Sequence, residues 1–178
     1  MPSWQARLLN AYIRTIVRRD SWGPDPESVA RRARKMFGAP SAYRRYVSRG
    51  LEISEVSEGG VRGEWVSPIE PDTAIVLYIH GGGFVSCSPG THRPVTTAMA
   101  RLTRRAIFGV DYRLAPEHPF PTGLSDIVAA YEWLLALGYD PKSIAVAGDS
   151  AGGGLVLSLL VRLGSEGVPM PARRATSR

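Results

Sequence analysis

Near the N-terminus the apolar residues Trp4, Leu8, Leu9, Tyr12, Ile13, Ile16 and Val17 recur every three or four positions, with Arg7, Arg14 and Arg18 between them. That spacing predicts an amphipathic helix from Trp4 to Val17. A second helix is predicted from Asp25-Pro26-Glu27, where Asp25 can cap and Pro26 suits the first turn, to a stop at Gly38. The period then changes. Leu51, Ile53 and Val56 suggest a strand, Gly59-Gly60 a turn, and Val61 to Val66 a second strand, a hairpin expected at the antiparallel edge of a sheet. After Pro71, apolar runs at Ala74 to Ile79, Ala106 to Val110 and Ile144 to Ala147 alternate with helical patterns at Pro94 to Arg105, Ser125 to Leu137 and Ala151 to Leu163, the last two stopped by Gly138 and Gly164. Strands without polar alternation are buried on both sides, so this order predicts an α/β fold: a mostly parallel sheet with helices on both faces.

Composition agrees with a globular protein: 178 residues, 44% apolar, 21% charged. No apolar run approaches the roughly 20 residues that span a bilayer. Arg7, Asn10 and Arg14 interrupt the N-terminal apolar residues, unlike a secretory leader. The single cysteine, Cys87, has no internal disulfide partner and makes no thiolate metal site alone, so a cytoplasmic location fits and no metal is expected. The net charge of +6 is uneven: residues 1–50 hold 11 Lys/Arg against three acids, and the rest of the chain is slightly acidic. A solvated helix face is the simpler reading of that basic stretch, peripheral contact with an anionic membrane the alternative, and no nucleic-acid motif accompanies it.

Two glycine-rich turns stand at the carboxyl ends of predicted strands, where open α/β sheets place ligands. In Gly148-Asp149-Ser150-Ala151-Gly152-Gly153 the pattern G-x-S-x-G lies between a strand and a helix, the setting that exposes a serine hydroxyl on a sharp turn. In His80-Gly81-Gly82-Gly83-Phe84 three glycines leave backbone amides bare beside any reacting carbonyl, as stabilising an oxyanion requires.

With these two turns and Asp111 to Pro121 (DYRLAPEHPFP), roughly residues 70–165 resemble the hormone-sensitive lipase family of α/β-hydrolases, the bacterial family IV esterases. The resemblance implies an α/β-hydrolase fold and a serine hydrolase acting through an acyl-enzyme on small apolar carboxylic esters of short to medium acyl length, with no cofactor. It makes Ser150 the nucleophile and the amides of Gly82, Gly83 and Ala151 the oxyanion hole, with His80, Gly81, Gly148, Asp149 and Gly152 supporting the motifs. It also divides the chain into an N-terminal helical cap segment (1–45), a partial hydrolase core (46–170) and a basic tail (171–178).

A serine needs a histidine base and an orienting carboxylate, which in this fold follow it in the chain. After Ser150 there is no histidine, and Glu166 is the one acid. Of the earlier histidines, His80 is expected to be structural in its turn, His92 to cap or to face solvent at a helix start, and His118 to fasten a loop. Asp149 is expected to point away from the serine hydroxyl, and Asp111, Glu117 and Asp126 to pair with arginines or backbone. Family members run to about 300 residues, so 178 would hold about five of eight strands. The expectation is a C-terminally truncated chain, inactive alone and marginally stable, with Ile144 to Ala147 left as an open apolar edge. The rival readings are a non-catalytic ligand-binding protein of the same fold, and an amidase or other acyl hydrolase.

Overall fold

The computed structural model describes residues 3–12, 25–37 and 41–172. The first helix, α1 (Trp4–Tyr12), lies inside the predicted one, whose residues 13–17 fall outside the described residues, as do Gly38 and residues 173–178 of the basic tail. In α2 (Pro26–Met36) Asp25 is the cap, its carboxylate accepting the Ser28 amide at 2.7 Å. The short α3 (Ser41–Val47) was not visible in the sequence, because seven residues are too few to display a helical period.

The hairpin forms as expected from β1 (Glu52–Glu58) and β2 (Val61–Ser67), with Ile53 opposite Val66. Next come β3 (Asp72–Ile79), α4 (Pro89–Thr103), β4 (Arg105–Val110), α5 (Thr122–Ala136), β5 (Ile144–Gly148) and α6 (Ala151–Glu166). The sheet order is β1-β2-β4-β3-β5, with β3 parallel to both β4 and β5 and the hairpin joined antiparallel through β2 to β4.

Both faces of the central strands are apolar, which is why they read as unbroken runs. Val76, Tyr78 and Ile107 point to the face covered by α4, where Ala100 is buried against them. Leu77, Ile79 and Phe108 point to the other, where Ile127 and Leu134 of α5 and Leu155, Leu159 and Leu163 of α6 close the larger core. Trp65 of the hairpin packs on Phe108 with ring centroids 4.9 Å apart, tying the antiparallel part of the sheet into that core.

Three helix boundaries differ from expectation; α5 begins at Thr122 and not at Ser125. Helix α4 begins at Pro89 and not at Pro94, because Ser88 and Thr91 form a capping box and Pro89 occupies the first turn, so that Pro94 lies inside the helix. Helix α6 runs through Gly164 and ends at Gly167, whose φ of +68° lets the next amide, that of Val168, close on the Leu163 carbonyl. Leu163 is fully buried, and keeping it helical outweighs the weak helix propensity of Gly164.

Strand β5 ends the sheet, as the sequence suggested. Among the described residues its outer edge carries one backbone bond, from the Ala172 amide to the Ile144 carbonyl at 2.9 Å. On the neighbouring α6 surface, Leu157 and Val161 are exposed. No helix among the described residues is long and apolar enough to cross a membrane.

The two sides of α6 predict opposite outcomes. Leu159→Ala, which opens a cavity at a fully buried position, is expected to cost about 2–5 kcal/mol in urea unfolding. Leu157→Lys on the exposed side is expected to stay within about 0.5 kcal/mol of wild type.

Candidate active site

The two glycine-rich turns leave the sheet from neighbouring strands at the same level. Ile79, the last residue of β3, is the register partner of Gly148, the last of β5. The chain beyond Ile79 becomes the His80–Phe84 turn, and the chain beyond Gly148 the bend into α6. The two approach so closely that a side chain at Gly152 would collide with the backbone carbonyls of Ile79 and His80. Only glycine lets α6 start this near the end of β3.

Ser150 stands at the apex of its bend with φ 49° and ψ −122°, a left-handed conformation imposed on a residue with a Cβ. It occupies the N-cap position of α6, yet its side chain caps nothing and is exposed. A hydroxyl held at a strained bend, unbonded to its own helix, is available to a substrate.

Asp149, one residue earlier, faces the other way. Its Oδ1 accepts the Gly81 amide at 2.9 Å and the Tyr78 hydroxyl at 2.8 Å, and His92 Nε2 of α4 lies 3.4 Å from the same oxygen. Burial alone pushes this carboxyl up, but the Tyr78 hydroxyl, the Gly81 amide and the nearby His92 outweigh it and hold the group below the usual carboxylate range. For Tyr78 the same contact adds to burial, and its phenol is pushed up. Asp149 therefore stitches the serine bend to the first glycine of the other turn.

The remaining amides of that turn are differently placed. Gly82, at φ +118°, bends the chain so that its carbonyl accepts the amides of Val85 and Ser86 and the Ser86 hydroxyl. Among the described residues the amides of Gly82, Gly83 and Ala151 meet no acceptor. They belong to the two turns that Asp149 ties together, and Ala151 directly follows Ser150.

His80 is 1% exposed, its ring stacked on Tyr112 at 4.4 Å between centroids. The Tyr112 hydroxyl donates to the His80 carbonyl at 2.8 Å, and His80 Nδ1 lies 2.7 Å from the Gly81 carbonyl, to which it must donate. Burial pushes this imidazole down to about 4, so it is neutral near neutral pH. His118 lies exposed in the loop before α5. His92 departs from expectation: Ser88 caps α4, while the His92 side chain, 14% exposed, faces Asp149. The sequence places His92 near a helix start, but that Asp149 lies opposite follows from the packing of α4 on β3.

Each of the three remaining carboxylates found its arginine: Asp111 with Arg62, Glu117 with Arg34 and Asp126 with Arg113. The Arg34 pair fixes α2 beside the site. Its guanidinium donates to the Val85 carbonyl at 2.8 Å and the Ala115 carbonyl at 3.2 Å, and grips Glu117 at 2.7 Å. Neither Arg34 nor Tyr78 was singled out in the sequence, since an arginine on a polar helix face and a tyrosine in an apolar strand look unexceptional without their partners.

Comparison with known proteins places this geometry. Residues 76–175 match a family model described as an alpha/beta hydrolase fold. An acetyl-hydrolase from Streptomyces hygroscopicus is 41% identical over 117 residues, 66% of this chain and 39% of that protein. The carboxylesterase/phospholipase LipF of Mycobacterium tuberculosis is 44% identical over 103 residues, 58% of this chain and 28% of its own. Mouse hormone-sensitive lipase is 41% identical over 102 residues, 55% of this chain and 13% of its own. An esterase of the bacterial hormone-sensitive lipase family superposes with a TM-score of 0.74 at 38% identity, covering 96% of this chain and 56% of that one. The esterase EstE5, crystallised and soaked with p-nitrophenyl butyrate, gives 0.66 at 36% identity over 84% of this chain and 56% of its own. The chain thus spans less than half the length of these curated relatives.

The Asp149 contacts predict a defined acid response. The folded carboxyl keeps its charge to lower pH than the unfolded one, so its stabilisation is complete above about pH 4 and is lost as pH falls through the lowered folded value. Asp149→Asn is expected to flatten that part of the stability profile, read from denaturant midpoints between about pH 5 and pH 2.

Proposed function

Since the chain belongs to the hormone-sensitive lipase family of the α/β hydrolases, we propose that it carries the nucleophile and oxyanion hole of a carboxylesterase acting through an acyl-enzyme. Ser150 Oγ attacks the ester carbonyl while its proton passes to an imidazole. The tetrahedral oxyanion is bound by the amides of Gly82, Gly83 and Ala151, and collapse expels the alcohol. Water then attacks the acyl-serine by the same route. The substrate is a small apolar ester of short to medium acyl length, and α2, strapped by Arg34 to the loop after the glycine turn, lies beside the site.

One observation carries the reading: unbonded amides on two turns that leave neighbouring strands at the same level, one turn carrying an exposed serine at a left-handed bend. The names of the relatives, acetyl-hydrolase and carboxylesterase among them, support the ester as substrate class. The base comes from outside residues 1–178. His80 is buried with its one N–H committed to Gly81, His92 is turned to Asp149, and His118 is exposed on a loop with no carboxylate partner among its hydrogen bonds. A working triad needs an imidazole that both faces the serine and is oriented by a carboxylate.

The 178-residue chain alone is therefore expected to leave p-nitrophenyl butyrate at the buffer rate. Mixed with the C-terminal part of a related esterase, beginning after that enzyme's own elbow helix, it is expected to turn the ester over, and Ser150→Ala to reduce that rate at least ~10³-fold. Alanine keeps the Cβ that serine already accommodates at this bend, so the fold is retained. A Ser150→Ala rate equal to wild type would overturn the assignment.

A further inference from the structure

Asp149 links the two turns, and its own third partner is the side chain of His92 on α4. Nδ1 lies 3.1 Å from the Thr91 hydroxyl, which accepts the Ser88 amide at 3.0 Å and donates its one proton to the Ser88 carbonyl at 2.8 Å, so that Nδ1 meets an acceptor. Nε2 faces a second acceptor, Asp149 Oδ1, at 3.4 Å, an oxygen already accepting from Tyr78 and Gly81. With acceptors at both nitrogens, the ring that satisfies this setting carries a proton on each.

The other groups around this contact do not compete for the role. The His80 ring, with its centroid 5.5 Å from that of His92, has its Nδ1 proton on the Gly81 carbonyl, and the Tyr78 ring 6.2 Å away has its hydroxyl proton on Asp149. No Lys or Arg forms an ion pair with Asp149 among the described residues, leaving His92 as its one basic contact. The contact joins α4 on one face of the sheet to the bend that starts α6 on the other.

We propose that His92 is a positioning residue of the esterase site, its Nε2–H anchoring Asp149 so that the carboxylate holds the oxyanion turn through Gly81 against the Ser150 bend. This rests on the function proposed above for the acyl chemistry, but the anchoring itself is a property of the folded chain. His92 does not touch substrate. It acts through Asp149, and its loss leaves the free amides of Gly82 and Gly83 on a turn with one tether fewer.

The test compares wild type with His92→Phe, which keeps a ring and removes the donor, and His92→Gln, whose amide restores a donor near the Nε2 position. Two readouts by NMR on the isolated chain do not depend on activity: hydrogen exchange of the Gly81 amide and the titration of the Asp149 carboxyl. His92→Phe is expected to speed Gly81 exchange about fivefold or more, since the turn loses one polar tether. It is also expected to move the Asp149 titration up towards the usual carboxylate range, while amides in the centre of β3 stay protected. His92→Gln is expected to restore both. In the complemented enzyme, His92→Phe should lower kcat with KM little changed. Unchanged Gly81 exchange and Asp149 titration in His92→Phe, or a His92→Gln chain indistinguishable from it, would overturn the proposal. A complemented enzyme without Ser150-dependent turnover, with both NMR shifts seen, would overturn the esterase reading and leave the anchor standing.

Discussion

Two backbone turns can serve one reacting carbon only if the strands that deliver them end side by side, and here that is decided by the parallel pairing of β3 with β5. Ile79 and Gly148 are register partners, so the chain leaves the sheet at the same height on both strands. A slip of one residue would turn the next side chain of each turn to the opposite face. The apolar sets of β3 resist such a slip, because Leu77 and Ile79 are committed to the core under α5 and α6 while Val76 and Tyr78 are committed to the core under α4. Burial on both faces of the sheet thus sets the position of atoms that are not themselves buried.

The polar contacts then refine what packing has brought near. Asp149 links the two turns: its carboxylate accepts from Tyr78 and from Gly81 and lies 3.4 Å from His92. Its neighbour Ser150 is left without a partner in a strained conformation. Of these adjacent residues, Asp149 is tied down through Oδ1 while the Ser150 side chain meets no partner among the described residues. The cost of that conformation is carried by the parallel pairing below it and the close approach of Gly152 above it.

Electrostatics organises the periphery in the same way. The basic N-terminal stretch looks like an undifferentiated patch in the sequence, yet Arg34 within it is a specific strap to the loop carbonyls of Val85 and Ala115 and to Glu117. Arg101 of α4 likewise holds the chain after α3 through the carbonyls of Val47 and Arg49. On the opposite side, among the described residues β5 carries a single backbone bond on its outer edge, beside the exposed Leu157 and Val161 of α6. An apolar strand with an open ladder is a surface other strands can pair with, and charged residues do little to protect this one.

The sequence by itself determined the strands, the hairpin, the two glycine-rich turns and the residue types within them. Those signals are local: a buried strand needs an apolar run, and a tight turn needs glycine where a Cβ would collide. It also pointed correctly to arginine partners for Asp111, Glu117 and Asp126, although only Asp126 is largely buried. What only the tertiary structure decided is which distant groups meet. That His92 faces Asp149 and not solvent, and that Asp149 reaches back to Gly81, depend on the packing of α4 across the end of β3. Such contacts join residues up to 68 positions apart in the chain, and no local period or composition encodes a distance between segments that only a shared core brings together.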